Sequence, residues 1–189
     1  GWPFQHLAPI FQADDMTLLN LECVLQEGNK GHDYTRQHNF RGKPAYAQML
    51  VDAGVEQVNV ANNHFVDYRT SGKRSTLAAL DAAGVGYSGY GHLYIWEKDG
   101  VKIGFGGCRE TVWKKSRTTI RKDIQALKKA GCDLIVYSCH WGREYSPTHN
   151  RAQERMADYA IKCGANILIG SHPHVVQGVE VRSGALVLW

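Results

Sequence analysis

Four stretches of the chain close on glycine after a run of helical spacing: KPAYAQMLVDAG (43–54), RSTLAALDAAG (74–84), TIRKDIQALKKAG (119–131) and NRAQERMADYAIKCG (150–164). Glycine is the usual residue just past a helix end, where φ turns positive. Apolar residues recur three and four apart, as in Ala152, Met156, Tyr159, Ala160 and Cys163. Pro44 sits where the first turn of a helix tolerates it. Three of the glycines lead into β-like apolar runs: VEQVNVA, CDLIVYSC and ANILIG. Helix followed by buried strand, repeated, predicts an α/β layered fold with a mostly parallel core sheet. LYIWEKDGVKIGFGG (93–107) differs and reads as a β-hairpin turning at Asp99-Gly100. No low-complexity linker divides the 189 residues, and the chain is read as one domain, 1–189.

Composition narrows the classes. With 43% hydrophobic and 21% charged residues the chain fits an ordinary globular protein. No apolar run approaches the roughly 18 residues of a membrane span, and no signal peptide opens the sequence. A net charge of +4 favours anionic partners only weakly. The richest basic stretch, KKSRTTIRKDIQALKK (114–129), carries Ile120, Ile124 and Leu127 at helical spacing. Its charges therefore read as the solvated face of a helix, and no nucleic-acid partner is expected. The five cysteines are odd in number and form no C-x-x-C pair, which argues against a zinc ribbon or a full disulfide framework. Cys132, Cys139 and Cys163 read as small core residues.

The strand ends carry the chemistry. Asn63 comes nine residues after Gly54, His140 nine after Gly131, and His172 eight after Gly164. Upstream, MTLLNLE puts Glu22 just after another β-like run. In open α/β sheets, sites form outside the carboxyl ends of the strands. Four strands would thus deliver Glu22, Asn63-His64, His140 and His172-His174 to one sheet edge. The last of these lies in LIGSHPHVVQ (168–177), where Gly170 and Ser171 are expected to end the strand and a proline separates two imidazoles. Proline fixes its own φ and restricts the residue before it, giving the two rings a defined relation. Each residue also has an ordinary reading. Asn63 could serve a turn, His64 a helix N-terminus, His140 a backbone hydrogen bond, Glu22 a cap. Their recurrence at equivalent strand ends favours a metal site.

Carboxylate, imidazole and amide oxygen suit manganese, iron or zinc better than thiolate-selected metals. Two such ions bridged by a carboxylate and a water would activate hydroxide and clamp a phosphoryl group in line. A histidine beside them could protonate the leaving oxygen.

NLE, ANNHFVDY, CHWGREY and IGSHPHVVQGVE, in this order and spacing, resemble the CapA/PgsA capsule-synthesis family, the poly-γ-glutamate group within the calcineurin-like metallophosphoesterases. The likeness spans nearly the whole chain. It implies an αββα sandwich of two facing sheets with helices outside. It places a first aspartate motif before Gly1 and a last strand after Trp189, so the sandwich is read without its first and last strands. His6 is too isolated to supply that first motif. The resemblance also assigns roles. Glu22 would bridge the metals, with glutamate where the wider superfamily has aspartate. Asn63 would be a ligand, in ANNH rather than a Gly-Asn-His form, and His64 the general acid. His140 and His172 would hold one metal and His174 the other. Asp67 would orient His64, and Glu144 would stand at the metal edge toward substrate.

Three functions follow from this. The leading expectation is a divalent-metal hydrolase acting on a phosphoester and tied to capsule or poly-γ-glutamate synthesis or export. A second would turn the same chemistry on a γ-glutamyl amide. A third is a non-catalytic subunit that binds an anionic polymer or scaffolds a membrane synthase. The resemblance implies an extracytoplasmic, membrane-associated full-length protein.

Overall fold

The computed structural model describes residues 2–189. The chain forms two compact units, one ending at Tyr87 and the other running Ser88–Trp189.

The first unit contains α1 (Ala8–Phe11), β1 (Leu18–Asn20), β2 (Val24–Leu25), β3 (Arg41–Gly42), α2 (Ala47–Ala53), β4 (Gln57–Asn59), α3 (Arg69–Ala83) and, but for its last residue, β5 (Gly86–Ser88). A three-stranded sheet has the order β1-β4-β5, with β1 and β4 parallel. β2 and β3 pair in parallel beside it in sequence as a separate two-stranded ribbon. Leu25, Leu50, Val58, Phe65 and Leu80 fill the core between these elements. Pro44 opens a 3₁₀ turn leading into α2, whose end is capped by Gly54 at φ +84°.

The second unit contains β6 (Tyr94–Lys98), β7 (Val101–Arg109), α4 (Trp113–Lys129), β8 (Leu134–His140), α5 (Arg151–Cys163), β9 (Ile167–Ser171), β10 (Val179–Arg182) and β11 (Ala185–Leu188). They build a six-stranded sheet in the order β10-β11-β9-β8-β7-β6. Its four central strands, β11, β9, β8 and β7, are mutually parallel, and each edge strand is antiparallel to its neighbour. This is the mostly parallel α/β class that the helix–glycine–strand repeat implies. The β6–β7 hairpin turns at Asp99 and Gly100, both at positive φ, the backbone that a two-residue turn between twisted strands requires.

Helices α4 and α5 bury Ile120, Ile124, Leu127, Met156, Ala157 and Ala160 against Tyr137, Leu168 and Val187 of the sheet. The basic residues of α4 stay exposed, as the apolar spacing requires. All five cysteines are free thiols; Cys139 is buried and Cys132 and Cys163 pack half-buried against this core. Asp123 is an exception to the apolar interior. It accepts a hydrogen bond from the Tyr137 hydroxyl at 2.9 Å, and burial pushes its carboxyl up to about 6.

Strand lengths depart from the sequence reading at three points. β9 does not stop at Gly170, because register with β8 carries pairing on through Gly170 and Ser171. A β-carbon at Gly170 would lie 2.5 Å from the Trp189 carbonyl carbon and 2.7 Å from Trp141 Nε1, so glycine lets the strands approach here. β4 ends at Asn59, which leaves Asn63 four residues into a loop. Glu22 likewise lies two residues beyond β1. Among the described residues, no helix is long and apolar enough to cross a membrane.

Candidate metal centre

In the second unit, parallel register sets His140, the last residue of β8, opposite Ser171, the last of β9. His140 is buried, and its Nδ1 lies 3.0 Å from Ser171 Oγ, which orients the ring. His172 follows at once, with its ring centroid 4.7 Å from that of His140. The His172 and His174 centroids are 6.0 Å apart. His172, His174 and exposed Glu144 each offer one ligand atom, and these atoms lie within 4.8 Å of one another.

The turn carrying the two histidines is held against its preferences. A residue before proline favours extended backbone, yet His172 takes φ +99° and His174 φ +57°. Non-glycine residues at such angles cost on the order of 1–3 kcal/mol each. Three tethers hold the turn. Buried Pro173 accepts the Tyr145 N–H at 2.7 Å, and Ser171 accepts the Trp141 N–H at 3.0 Å. Gln177 donates to the Ser146 carbonyl at 2.9 Å and accepts from Gln153 at 2.9 Å. Gln153 is also the far half of a capping box with Asn150 at the start of α5. Helix α5 therefore anchors both the loop bearing Glu144 and the segment after His174. Glu110 completes the frame, accepting the Gly142 N–H at 2.9 Å. Gln153, Gln177 and Glu110 carry no sequence signal of their own, except that Asn150-x-x-Gln153 is a legible capping box.

The donor chemistry fits a divalent ion. Two imidazoles and a carboxylate form a three-ligand set of the kind that leaves a coordination position open. Atoms sharing one such ion at about 2.0–2.2 Å stand no more than about 4.4 Å apart, so the set is a small side-chain rotation from a chelate. His172 Nδ1 is buried and has no hydrogen-bond partner among the described residues. Buried polar atoms are rarely left so.

The first unit gathers a different set. Asn20 and Asn59 face each other across β1 and β4. Asn20 donates to Glu22 at 2.9 Å and accepts from Asn62 at 3.1 Å. The Asn62 side chain is spent on the turn, accepting the N–H groups of His64 at 3.1 Å and Phe65 at 2.9 Å and donating to the Leu21 carbonyl at 2.8 Å. Its neighbour Asn63 is half-buried, with its carbonyl held by Arg36 at 2.8 Å. His64 Nδ1 lies 2.7 Å from Asp67 Oδ2. Asp67, fully buried, also ion-pairs with Arg36 at 2.6 Å and accepts the Phe40 N–H at 2.7 Å. An ionised carboxylate can only accept, so the contact suits the tautomer with its proton on His64 Nδ1 and leaves Nε2 outside it. Burial, reinforced by the Asp67 carboxylate, pushes the Cys23 thiol up to about 11, so no thiolate competes as a donor at neutral pH. Arg36 and Phe40 were not legible as site residues, because each is reached only through the fold; Asn20 stands in the NLE motif, where the sequence assigns it no role.

A family model, that of the bacterial capsule synthesis protein PGA_cap, matches residues 1–189. The chain belongs to this family. The match to PGA_cap runs across both units and agrees with the CapA/PgsA resemblance of the sequence motifs. Among curated relatives, the capsule biosynthesis protein CapA of Bacillus anthracis is 27% identical over 98% of this chain and 51% of its own length. The PGA biosynthesis protein CapA of Bacillus subtilis (strain 168) is 28% identical over 98% of this chain and 54% of its own. A probable polyglutamine synthesis accessory protein of Mycobacterium tuberculosis is 21% identical over the whole chain and 58% of its own. This PGA_cap chain thus spans about half the length of the curated relatives it matches. A solved NAD nucleotidase of Haemophilus influenzae is similar at TM-score 0.44 and 17% identity, over 71% of this chain and 30% of that one, too distant to bear on function.

Proposed function

We propose that this chain is a metal-dependent hydrolase-like domain serving capsule or poly-γ-glutamate synthesis, and that its two units act as one functional domain. One observation carries the metal reading: the strained His172-Pro173-His174 turn with Glu144, whose ligand atoms lie within 4.8 Å of one another, beside buried His140. In this reading His140, His172 and His174 hold divalent metal, with Glu144 at its exposed edge; ligand roles for Glu22 and Asn63 are those the family resemblance implies. When bound, such an ion polarises a phosphoryl oxygen and lowers the pKa of a coordinated water. The chain's own proton chemistry falls to His64. Asp67 fixes its Nδ1, and Arg36 fixes Asp67, so Nε2 is presented in one orientation for a leaving oxygen. A general acid so placed contributes about 10²–10⁴-fold. The family and the names of its relatives support capsule or poly-γ-glutamate synthesis as the setting, with an anionic polymer as partner at the cell surface.

The experiment is hydrolysis of an aryl phosphate with added manganese. We expect activity that chelator abolishes and that His64→Ala lowers within that range. A second reading draws on the relative named an accessory protein: the domain binds polymer or scaffolds a synthase without catalysis. Absence of hydrolysis in metal-loaded protein, unaltered by His64→Ala, would establish the second reading over the first.

A further inference from the structure

Residues of α4 and α5 in the second unit line a groove rich in cations, and none of its lining residues belongs to the histidine turn. Two adjoining clefts, of about 400 and 380 Å³, share Tyr159 and Lys162. Arg121 and Lys128 of α4 and Arg151, Arg155 and Lys162 of α5 line the groove, and Arg117 stands one turn before Arg121 outside both clefts, all exposed. Within each helix the three fall at the same spacing, i, i+4 and i+11. At 1.5 Å rise per residue each row runs about 16 Å, too long for one small anion and suited to a chain bearing repeated charges.

Ordinary helix electrostatics do not account for these rows. Cations stabilise a helix near its C-terminus, which explains Lys128 and Lys162. Arg151 is the first residue of α5, where the helix dipole disfavours a cation, and Arg117, Arg121 and Arg155 lie beyond the end turns, where the dipole does nothing for them. Two carboxylates, Asp158 and Glu154, share the lining of the first cleft with these cations. Asp158 is bound by Arg182 at 2.5 and 3.1 Å, which holds its carboxyl below the usual range, and Glu154 lies 3.4 Å from His149 Nε2. The floor is aromatic. Trp113 and Tyr159 meet edge to face at 5.6 Å, with Arg155 4.6 Å over Trp113 and Arg117 5.4 Å over Tyr159. Stacked guanidinium groups are held in place for planar, two-point contact with carboxylates.

We infer that the α4–α5 groove is a binding track for an extended polycarboxylate chain, separate from the metal centre. The choice of polycarboxylate rests on the reading that the domain serves polyglutamate synthesis; the track itself rests on the groove.

The test is fluorescence anisotropy with labelled poly-γ-glutamate and full-chain protein whose fold is checked by circular dichroism. Arg121→Gln, Arg155→Gln and Lys162→Gln together should weaken binding about tenfold or more. The control, Lys30→Gln, Arg74→Gln and Lys114→Gln, removes the same charge from exposed positions outside the groove and should leave affinity nearly unchanged. Equal weakening in both triples, or none in the first, overturns the track. His172→Ala should retain polymer binding even if the hydrolase reading fails; loss of binding there would move the polymer to the metal centre and overturn the inference. Tighter binding of duplex DNA or phosphatidylglycerol vesicles than of the polymer would overturn the polycarboxylate assignment.

Discussion

The two histidine loops of this chain solve opposite problems. In the first unit His64 is buried, its ring nitrogen bonded to a carboxylate that is itself bonded to an arginine and a backbone N–H. The turn beneath it is closed by Asn62. In the second unit His172 and His174 sit at positive φ, half-buried and exposed, with a buried Nδ1 on His172 that no described residue satisfies. A side chain that must move one proton at one atom profits from having its other valences fixed. Side chains that must share an ion need lone pairs directed at each other, at the cost of local stability. The contrast teaches that the loops are specialised by how completely their polar atoms are satisfied.

The largest expected effect breaks the satisfied side. Asp67→Ala strands the Arg36 guanidinium, the His64 ring and the Phe40 N–H together. Removing one partner of a buried pair costs about 3–5 kcal/mol. Arg36 keeps 25% of its side chain in water, so about 2–4 kcal/mol is expected in urea unfolding. A loss below about 0.5 kcal/mol, the size usual for exposed sites, would show that the network is not the structural lock described.

A second comparison sets Asp67 beside Asp123, the second unit's buried carboxylate. Asp123 has a tyrosine hydroxyl rather than an arginine, and burial lifts it to about 6. Its ordinary value is about 3.9. Between those two values the folded state keeps a proton that the unfolded chain releases. The stability so conferred is complete below about pH 4 and is lost as pH rises through about 6. Asp123→Asn keeps an acceptor for Tyr137 and removes the titration. It should raise stability by about 1–2 kcal/mol at pH 8 and little near pH 4. Denaturant midpoints at the two pH values check this; a gain that is the same at both would contradict it.

The smallest effect sharpens the strained side. His172→Gly accepts φ +99° without a β-carbon and should stabilise the fold by about 1 kcal/mol while weakening metal binding. Thermal unfolding in chelator reads the first and metal titration the second. A destabilised variant would mean that the ring packs more than the backbone strains.

Much of this was legible before any coordinates. Helix ends announced themselves through Gly54, Gly84, Gly131 and Gly164, because a left-handed cap leaves a sequence mark. The hairpin at Asp99-Gly100 did the same. His140 and His172 were legible as strand-end residues because parallel strands follow glycine-capped helices at nearly constant spacing. The rest was hidden for physical reasons. Nothing local distinguishes Asn62, which closes a turn, from Asn63, which follows it. Arg36 meets Asp67 only through tertiary packing, across 31 positions of sequence. The positive φ of His172 runs against the local preference before proline and is set by bonds from Tyr145 and Trp141 to the turn.

The central claim is that the second unit's loop holds metal while the first unit's loop holds a proton. It is tested most directly by measuring manganese or zinc stoichiometry in His172→Ala and His64→Ala beside the parent protein. Loss of metal in His172→Ala with full retention in His64→Ala is the predicted result. Equal loss in both would make His64 a ligand and contradict the division of roles, and full retention in both would remove the metal from the His172 turn altogether.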